Sequence, residues 1–178
     1  VVVDGEVAWT GGRNLALEYL GPEPLESRWI DLSAELRGPI VADLQCVFAD
    51  DWNFATEGDL SPAEVPAAVG EQAAQIVASG PDLPGDPLSD VVLHAISNAQ
   101  KSIWIVTPYF ILDDPIERAL SLAARTGRDV RVVLPERSNH KLADLARTRL
   151  QYDLARDGVS FLLLPDQMIH AKAMVFDG

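Results

Sequence analysis

The chain has a single cysteine, Cys46, which excludes an internal disulfide and any cysteine-based metal cluster. That fits a reducing compartment. No apolar run approaches the ~20 residues of a membrane-spanning helix. Histidine is scarce, with only His94, His140 and His170. Basic side chains are nearly missing from the first hundred residues, which hold 3 against 17 acidic ones. Residues 101–178 are balanced, with 11 basic and 10 acidic. The overall net charge of −13 repels polyanions at long range. General nucleic-acid binding is therefore disfavoured, and a site for phosphate has to be local. Apolar residues are plentiful, at 48% of 178. A chain of this size buries roughly 70% of its extended surface, enough for one domain or two incomplete ones.

The most informative stretch is the last, Ile169-His170-Ala171-Lys172-Ala173-Met174-Val175-Phe176-Asp177-Gly178. Its alternation predicts a β-strand, in which neighbouring side chains point to opposite faces. His170 and Lys172 then share one face, and Ile169, Ala171, Ala173 and Val175 the other. An imidazole beside an ammonium, with a carboxylate at the following turn, suits an anionic substrate that needs a proton moved.

The rest of the chain reads as alternating strands and helices. Val1–Val3 and Glu6–Thr10 form a hairpin around Asp4-Gly5. Gly11-Gly12 breaks the pattern, Leu15–Leu20 reads as a short helix, and Gly21-Pro22-Glu23-Pro24 as a loop. Arg28–Leu36 is strand-like. Residues 39–53 follow helical spacing through Ile40, Val41, Leu44, Val47 and Phe48. Thr56–Gly70 reads as a loop or linker, Gln72–Ala78 as a strand, and Ser79–Pro87 as irregular.

A cleaner pattern follows. Asp86 and Pro87 start a helix, and Ser102–Thr107 is a buried strand stopped by Pro108. Asp114 caps a helix with Glu117 three residues on, and Gly127 ends it. Val130–Leu134 is a strand. A helix spans about Ser138–Arg156, with Leu142, Leu145, Ala146, Leu150 and Leu154 inward. Val159–Leu164 is the next strand. The alternation predicts an α/β layered fold with a mixed, mostly parallel sheet flanked by helices.

Most polar and aromatic residues have an ordinary structural reading. His94 reads as solvated, and His140 as a residue at a helix start. Asp50-Asp51 reads as a solvated helix end rather than a metal site. Trp52, Trp104, Tyr109 and Phe110 are most simply core, although Tyr109 and Phe110 follow a strand end, where sites gather in α/β folds. The arginines between 118 and 156 read as a solvated face. Asn14 is either a helix cap or a site residue.

One short word occurs at both ends. Val1-Val2-Val3-Asp4-Gly5 and Met174-Val175-Phe176-Asp177-Gly178 share three apolar residues followed by Asp-Gly, 173 residues apart. If the chain is duplicated, a His and a Lys precede Val1, in register with His170 and Lys172.

His170-x-Lys172-(x)4-Asp177 resembles the HKD motif of the phospholipase D superfamily. The flanks are similar to bacterial cardiolipin synthases. They include Asp4-Gly-x-x-Ala-x-Thr-Gly-Gly-x-Asn14, then Glu18-Tyr19, Gly38-Pro39, Asp51-Trp52, Ser79-Gly80-Pro81-Asp82, Thr107-Pro108-Tyr109-Phe110 and Arg128–Pro135. Only Thr56–Gln72 lacks a counterpart.

The resemblance implies a phospholipase D-like layered sandwich made of two HKD halves that meet at one site. Residues 1–70 would be the tail of the first half plus a linker, and 71–178 the start of the second. It implies a phosphohistidine mechanism with His170 as general acid/base, Lys172 as phosphate ligand and Asp177 as the motif acid that holds an imidazole. Asp4 is that residue's first-half counterpart, and Asn14 a phosphate contact. No metal and no cofactor is implied. The implied partners are a phospholipid, phosphatidylglycerol in a cardiolipin-forming transfer, and a membrane surface. The first HKD half would come from the same chain or from a second subunit, at a cytoplasmic membrane-associated location. The alternatives are a hydrolytic phospholipase D, a nuclease of the same superfamily, and a non-catalytic module that keeps the scaffold for binding or assembly.

Overall fold

A computed structural model describes residues 1–22, 28–61 and 64–178. Pro24 and its neighbour Glu23, placed in a loop by the sequence, lie outside the described residues, as do 62–63 of the expected linker. The chain forms two compact units. The first is Val1–Thr10 with Ser33–Leu88, and the second is Gly11–Leu32 with Ser89–Gly178.

In the first unit, β1 (Val2–Val3) and β2 (Val7–Gly11) form an antiparallel hairpin in register Val2↔Ala8. The turn is made by Asp4 at φ 53° and Gly5 at φ 70°. The left-handed region is open to Gly and, among side-chain-bearing residues, is visited most by Asn and Asp. β3 (Ser33–Arg37) joins the far side of β2, giving the order β1-β2-β3. α1 (Ile40–Thr56) packs on β1 and β3 and buries Val41, Ala42 and Ala49. It runs a turn longer than its apolar spacing indicates. Its end is set by Glu57 in the left-handed conformation, whose N–H donates to the Asn53 carbonyl.

Residues 72–78, expected as a strand, are irregular. Glu71 to Gln75 are all exposed. With no buried face, the Ala and Gln side chains have nothing to hold them in a ladder.

The second unit carries the α/β architecture. Its elements are α2 (Pro87–Asn98, its first two residues grouped with the first unit), β4 (Ser102–Val106), α3 (Asp114–Arg125), β5 (Asp129–Pro135), α4 (Lys141–Arg156), β6 (Ser160–Leu164) and β7 (Ala173–Phe176). The strand order is β6-β5-β4-β7. β4, β5 and β6 run parallel, and β7 is antiparallel to β4. The expected mixed, mostly parallel sheet flanked by helices is therefore present.

Register places Ile103 beside Val130 and Phe176, and Ile105 beside Val132. These residues line one sheet face. Ile96 of α2, Leu120 of α3, Leu154 of α4 and Phe110 close over it into one buried cluster.

Several boundaries differ from expectation. The cap of α3 is Asp113, not Asp114; its carboxylate accepts the Ile116 N–H, the donor three residues on. α4 begins at Lys141 rather than Ser138, because Ser138 is spent on a turn. Its hydroxyl accepts the His140 N–H, and its own N–H donates to Asp144 Oδ2. α4 is also rotated from its expected face. Leu142 and Leu145 are 83% and 72% exposed, whereas Arg147 is buried. The Arg147 guanidinium donates to the Glu136 carbonyl at 2.8 Å and pairs with Asp144 at 3.2 Å. Those contacts make burial of a charge tolerable, so this arginine is not part of a solvated face.

Residues 15–20 form a single turn around the Ala16 carbonyl rather than a helix. The strand-like run from Arg28 divides. Ser33–Arg37 enters the first unit's sheet, and Ile30 instead forms a parallel bridge to Ile169. Residues 11–32 group with the second unit, to which this bridge attaches them.

Leu120 is fully buried, so Leu120→Ala removes side-chain contacts from the centre of the cluster. It should cost about 2–5 kcal/mol. Leu142→Ala, at an exposed position, should stay within about 0.5 kcal/mol of wild type. Urea unfolding of the two variants checks the contrast.

Candidate functional site

The closing strand is shorter than its alternation indicates, since β7 covers only Ala173–Phe176. Residues 169–172 leave the sheet and attach to the segment before β3. The Ile30 N–H donates to the Met168 carbonyl at 2.8 Å, and the Ile30 carbonyl accepts the His170 N–H at 2.7 Å. The alternation survives, with Ile169 and Ala171 buried, His170 half-buried and Lys172 exposed. The core thus anchors two small side chains and presents the imidazole and the ammonium on the other side.

The imidazole is held by Asp31. His170 Nδ1 lies 2.9 Å from Asp31 Oδ2, and the Asp31 side chain is fully buried. The Leu32 N–H donates to Asp31 Oδ1 at 2.7 Å, and Arg13 donates to the Asp31 carbonyl at 3.2 Å. An ionised carboxylate only accepts. The pair therefore places the proton on Nδ1 and leaves the lone pair on Nε2.

Gly12 makes room for this carboxylate. A Cβ on Gly12 would stand 2.6 Å from Asp31 Oδ1, which accounts for the second glycine of Gly11-Gly12.

Lys172 Nζ sits 2.9 Å from both ring nitrogens of His170 and donates to the His170 carbonyl at 2.7 Å. With Nδ1–H committed to Asp31, the ammonium has a lone pair to meet only at Nε2. Burial pushes the Lys172 amine down from its ordinary value, and the Asp31 charge opposes that.

Three aromatic rings surround the imidazole. Tyr19 and Trp29 lie 5.6 Å from it by ring centroids, and Tyr109 lies 6.2 Å from it. Tyr109 also meets His140 edge-on at 5.2 Å and donates from its hydroxyl to Asn139. His140 is thus one ring removed from His170. Tyr109 is a wall of the site rather than simple core.

Asp177 does not hold the imidazole. Its carboxylate accepts the backbone N–H groups of Gln100, Lys101 and Ser102 at 2.6–2.9 Å. The bonds from Gln100, Ser102 and Lys101 hold its carboxyl below the usual range. It closes the turn between α2 and β4 and takes the left-handed conformation at φ 56°. Asp4, its repeat partner, has the same conformation in the first unit. Asn14 lies exposed two residues beyond Gly12.

The sequence thus identified His170 and Lys172, which the fold brings together, but not Asp31 as the partner of His170. The available signal was a lone carboxylate inside the apolar run Trp29-Ile30-Asp31-Leu32. Such a residue stays buried only when it is paired. Among the described residues, no group of three or more His, Cys, Asp or Glu is placed to hold a metal ion.

A family profile described as cardiolipin synthase, phospholipase D-like domain, matches residues 92–178. The matched stretch holds β4 to β7 and the His170–Lys172 pair. Cardiolipin synthase A of Pseudomonas putida is 38% identical over 99% of the chain, and that of Pseudomonas aeruginosa is also 38% identical over 99%. The chain spans 37% and 36% of those relatives' lengths. Among solved structures, Nuc of Salmonella typhimurium, a phospholipase D family member, aligns at 28% identity with a TM-score of 0.45. The alignment covers 54% of this chain and 60% of that one.

Two outcomes are expected of the second unit. Because its carboxyl is depressed in the fold, Asp177 contributes stability that is complete above the ordinary carboxylate range. That contribution is lost as pH falls through the lower folded value. Asp177→Asn should therefore lower the thermal midpoint at neutral pH, and the gap to wild type should close below about pH 4. Thermal melts from neutral to acid pH check this. Gly12→Ala should push the Asp31 carboxylate off its place and erase the downfield Nδ1–H proton of His170 in NMR spectra, while the unit stays folded.

Proposed function

We propose that this chain supplies one half of a phosphodiester-transfer site acting on phospholipids. The observation that carries the reading is the His170 imidazole, oriented by buried Asp31 and touched by the Lys172 ammonium. That set can move a proton and meet a phosphate at one place. In the two-step course, the histidine of a second HKD motif attacks phosphorus, forming a P–N bond as the P–O bond to the leaving alcohol breaks. His170 gives the departing oxygen its proton. His170 then takes a proton from the incoming alcohol, whose oxygen displaces the histidine and restores it. With phosphatidylglycerol as both donor and acceptor the products are cardiolipin and glycerol, whereas water as acceptor gives hydrolysis.

Lys172 has two tasks in this reading. In the empty site it donates toward Nε2. An incoming phosphate draws it onto a non-bridging oxygen, where negative charge develops, and this frees Nε2 for the proton. Asp31 orients the imidazole for the acid step. Asn14 is proposed as a further phosphate contact. The overall acidity argues for a small anionic head group over a nucleic-acid polyanion.

Tested in the full-length protein, His170→Ala should abolish cardiolipin formation from phosphatidylglycerol in vesicles, with the thermal midpoint little changed. Retained product would remove His170 from the site. Residues 1–178 alone, with one complete motif, should show no turnover in the same assay.

A further inference from the structure

Around His170, one polar group has no task in the reading above. The Tyr19 hydroxyl is buried, and it has no hydrogen-bond partner among the described residues. The ring is firmly placed. It meets Trp29 edge-on at 5.4 Å and His170 at 5.6 Å. Its backbone is fixed by its own N–H donating to the Ala16 carbonyl and by the Trp29 N–H donating to the Glu18 carbonyl. The two Asp31 oxygens each already accept a bond, from Leu32 and from His170. Native proteins retain few buried hydroxyls without a partner, and those they retain tend to have a redox or catalytic role or to meet a water or ion.

We infer that Tyr19 is a catalytic residue of this half-site, whose hydroxyl donates a hydrogen bond to a non-bridging oxygen of the phosphoryl group being transferred. The inference rests on the phosphodiester-transfer reading, and it names a donor that the HKD motif does not contain. Tyr19 gives up no proton. It complements Lys172, because the ammonium supplies charge on a flexible stem and the phenol supplies a direction from a rigid ring. A preorganised donor of this kind acts most where charge builds during attack and leaving. Burial pushes the Tyr19 hydroxyl upward, and the Asp31 charge adds to this. The group therefore remains a donor at neutral pH.

The test is Tyr19→Phe in the full-length protein, assayed on phosphatidylglycerol vesicles below the unfolding onset of both proteins, as set by circular dichroism. The ring and its packing are kept and only the hydroxyl is lost. We expect kcat/KM to fall roughly 100-fold, with a thermal midpoint equal to wild type or higher, because no internal hydrogen bond is removed. Wild-type turnover in Tyr19→Phe overturns the inference, whether or not the midpoint drops. A dropped midpoint with full turnover would mark the hydroxyl as a structural contact. His170→Ala run in parallel separates the two levels. If it is inactive while Tyr19→Phe is normal, only the Tyr19 assignment fails. If it too is active, the half-site reading fails.

Discussion

The second unit is organised around one hydrogen bond, between the buried Asp31 carboxylate and the His170 imidazole. The two residues are 139 positions apart, so the contact exists only in the folded chain. A carboxylate without solvent must be fully partnered, and each element near Asp31 serves that need. Leu32 supplies an amide, Gly12 supplies space, and His170 supplies the Nδ1–H. The parallel bridge from Ile30 to Ile169 sets the two segments side by side, next to the carboxylate and the ring. The His170 ring is thus oriented by a residue outside the recognisable motif.

The motif itself divides into chemistry and architecture. His170 and Lys172 face the site. Asp177 faces the fold, with three backbone N–H groups on its carboxylate. It ties the end of the closing strand to the turn between α2 and β4. The Asp-Gly word at Val1–Gly5 repeats the left-handed aspartate of Val175–Gly178, at φ 53° against 56°. Three apolar residues followed by Asp-Gly thus place an aspartate in the left-handed conformation in both units.

What was legible in the sequence follows from where local and tertiary forces agree. β4, β5 and β6 were plain because continuous apolar runs bounded by Pro and Gly have few alternatives. His170 and Lys172 were plain because their two-residue spacing survives even where the regular strand does not. α4 misled because Leu142 and Leu145 look like core, whereas Arg147, with a carbonyl and a carboxylate within reach, takes the inward place. Asp31 was marked only by its place in an apolar run, because its role depends on a partner far along the chain and no spacing rule carries that information. Tyr19 stood beside Glu18 in a recognised flank, but its empty hydroxyl appears only once its neighbours are in place.

The site therefore pairs a motif that the sequence announces with a support that only the fold reveals. Asp31 holds His170, Lys172 lies against the same ring, and three aromatic rings stand around it. The most direct measurement of this account is a double-mutant cycle in the full-length protein, with Asp31→Asn, His170→Ala and the pair assayed for transfer from phosphatidylglycerol. If Asp31 works through the imidazole, Asp31→Asn alone slows transfer severely, and the pair is no slower than His170→Ala. Independent, multiplying losses, or wild-type transfer by Asp31→Asn, would contradict it.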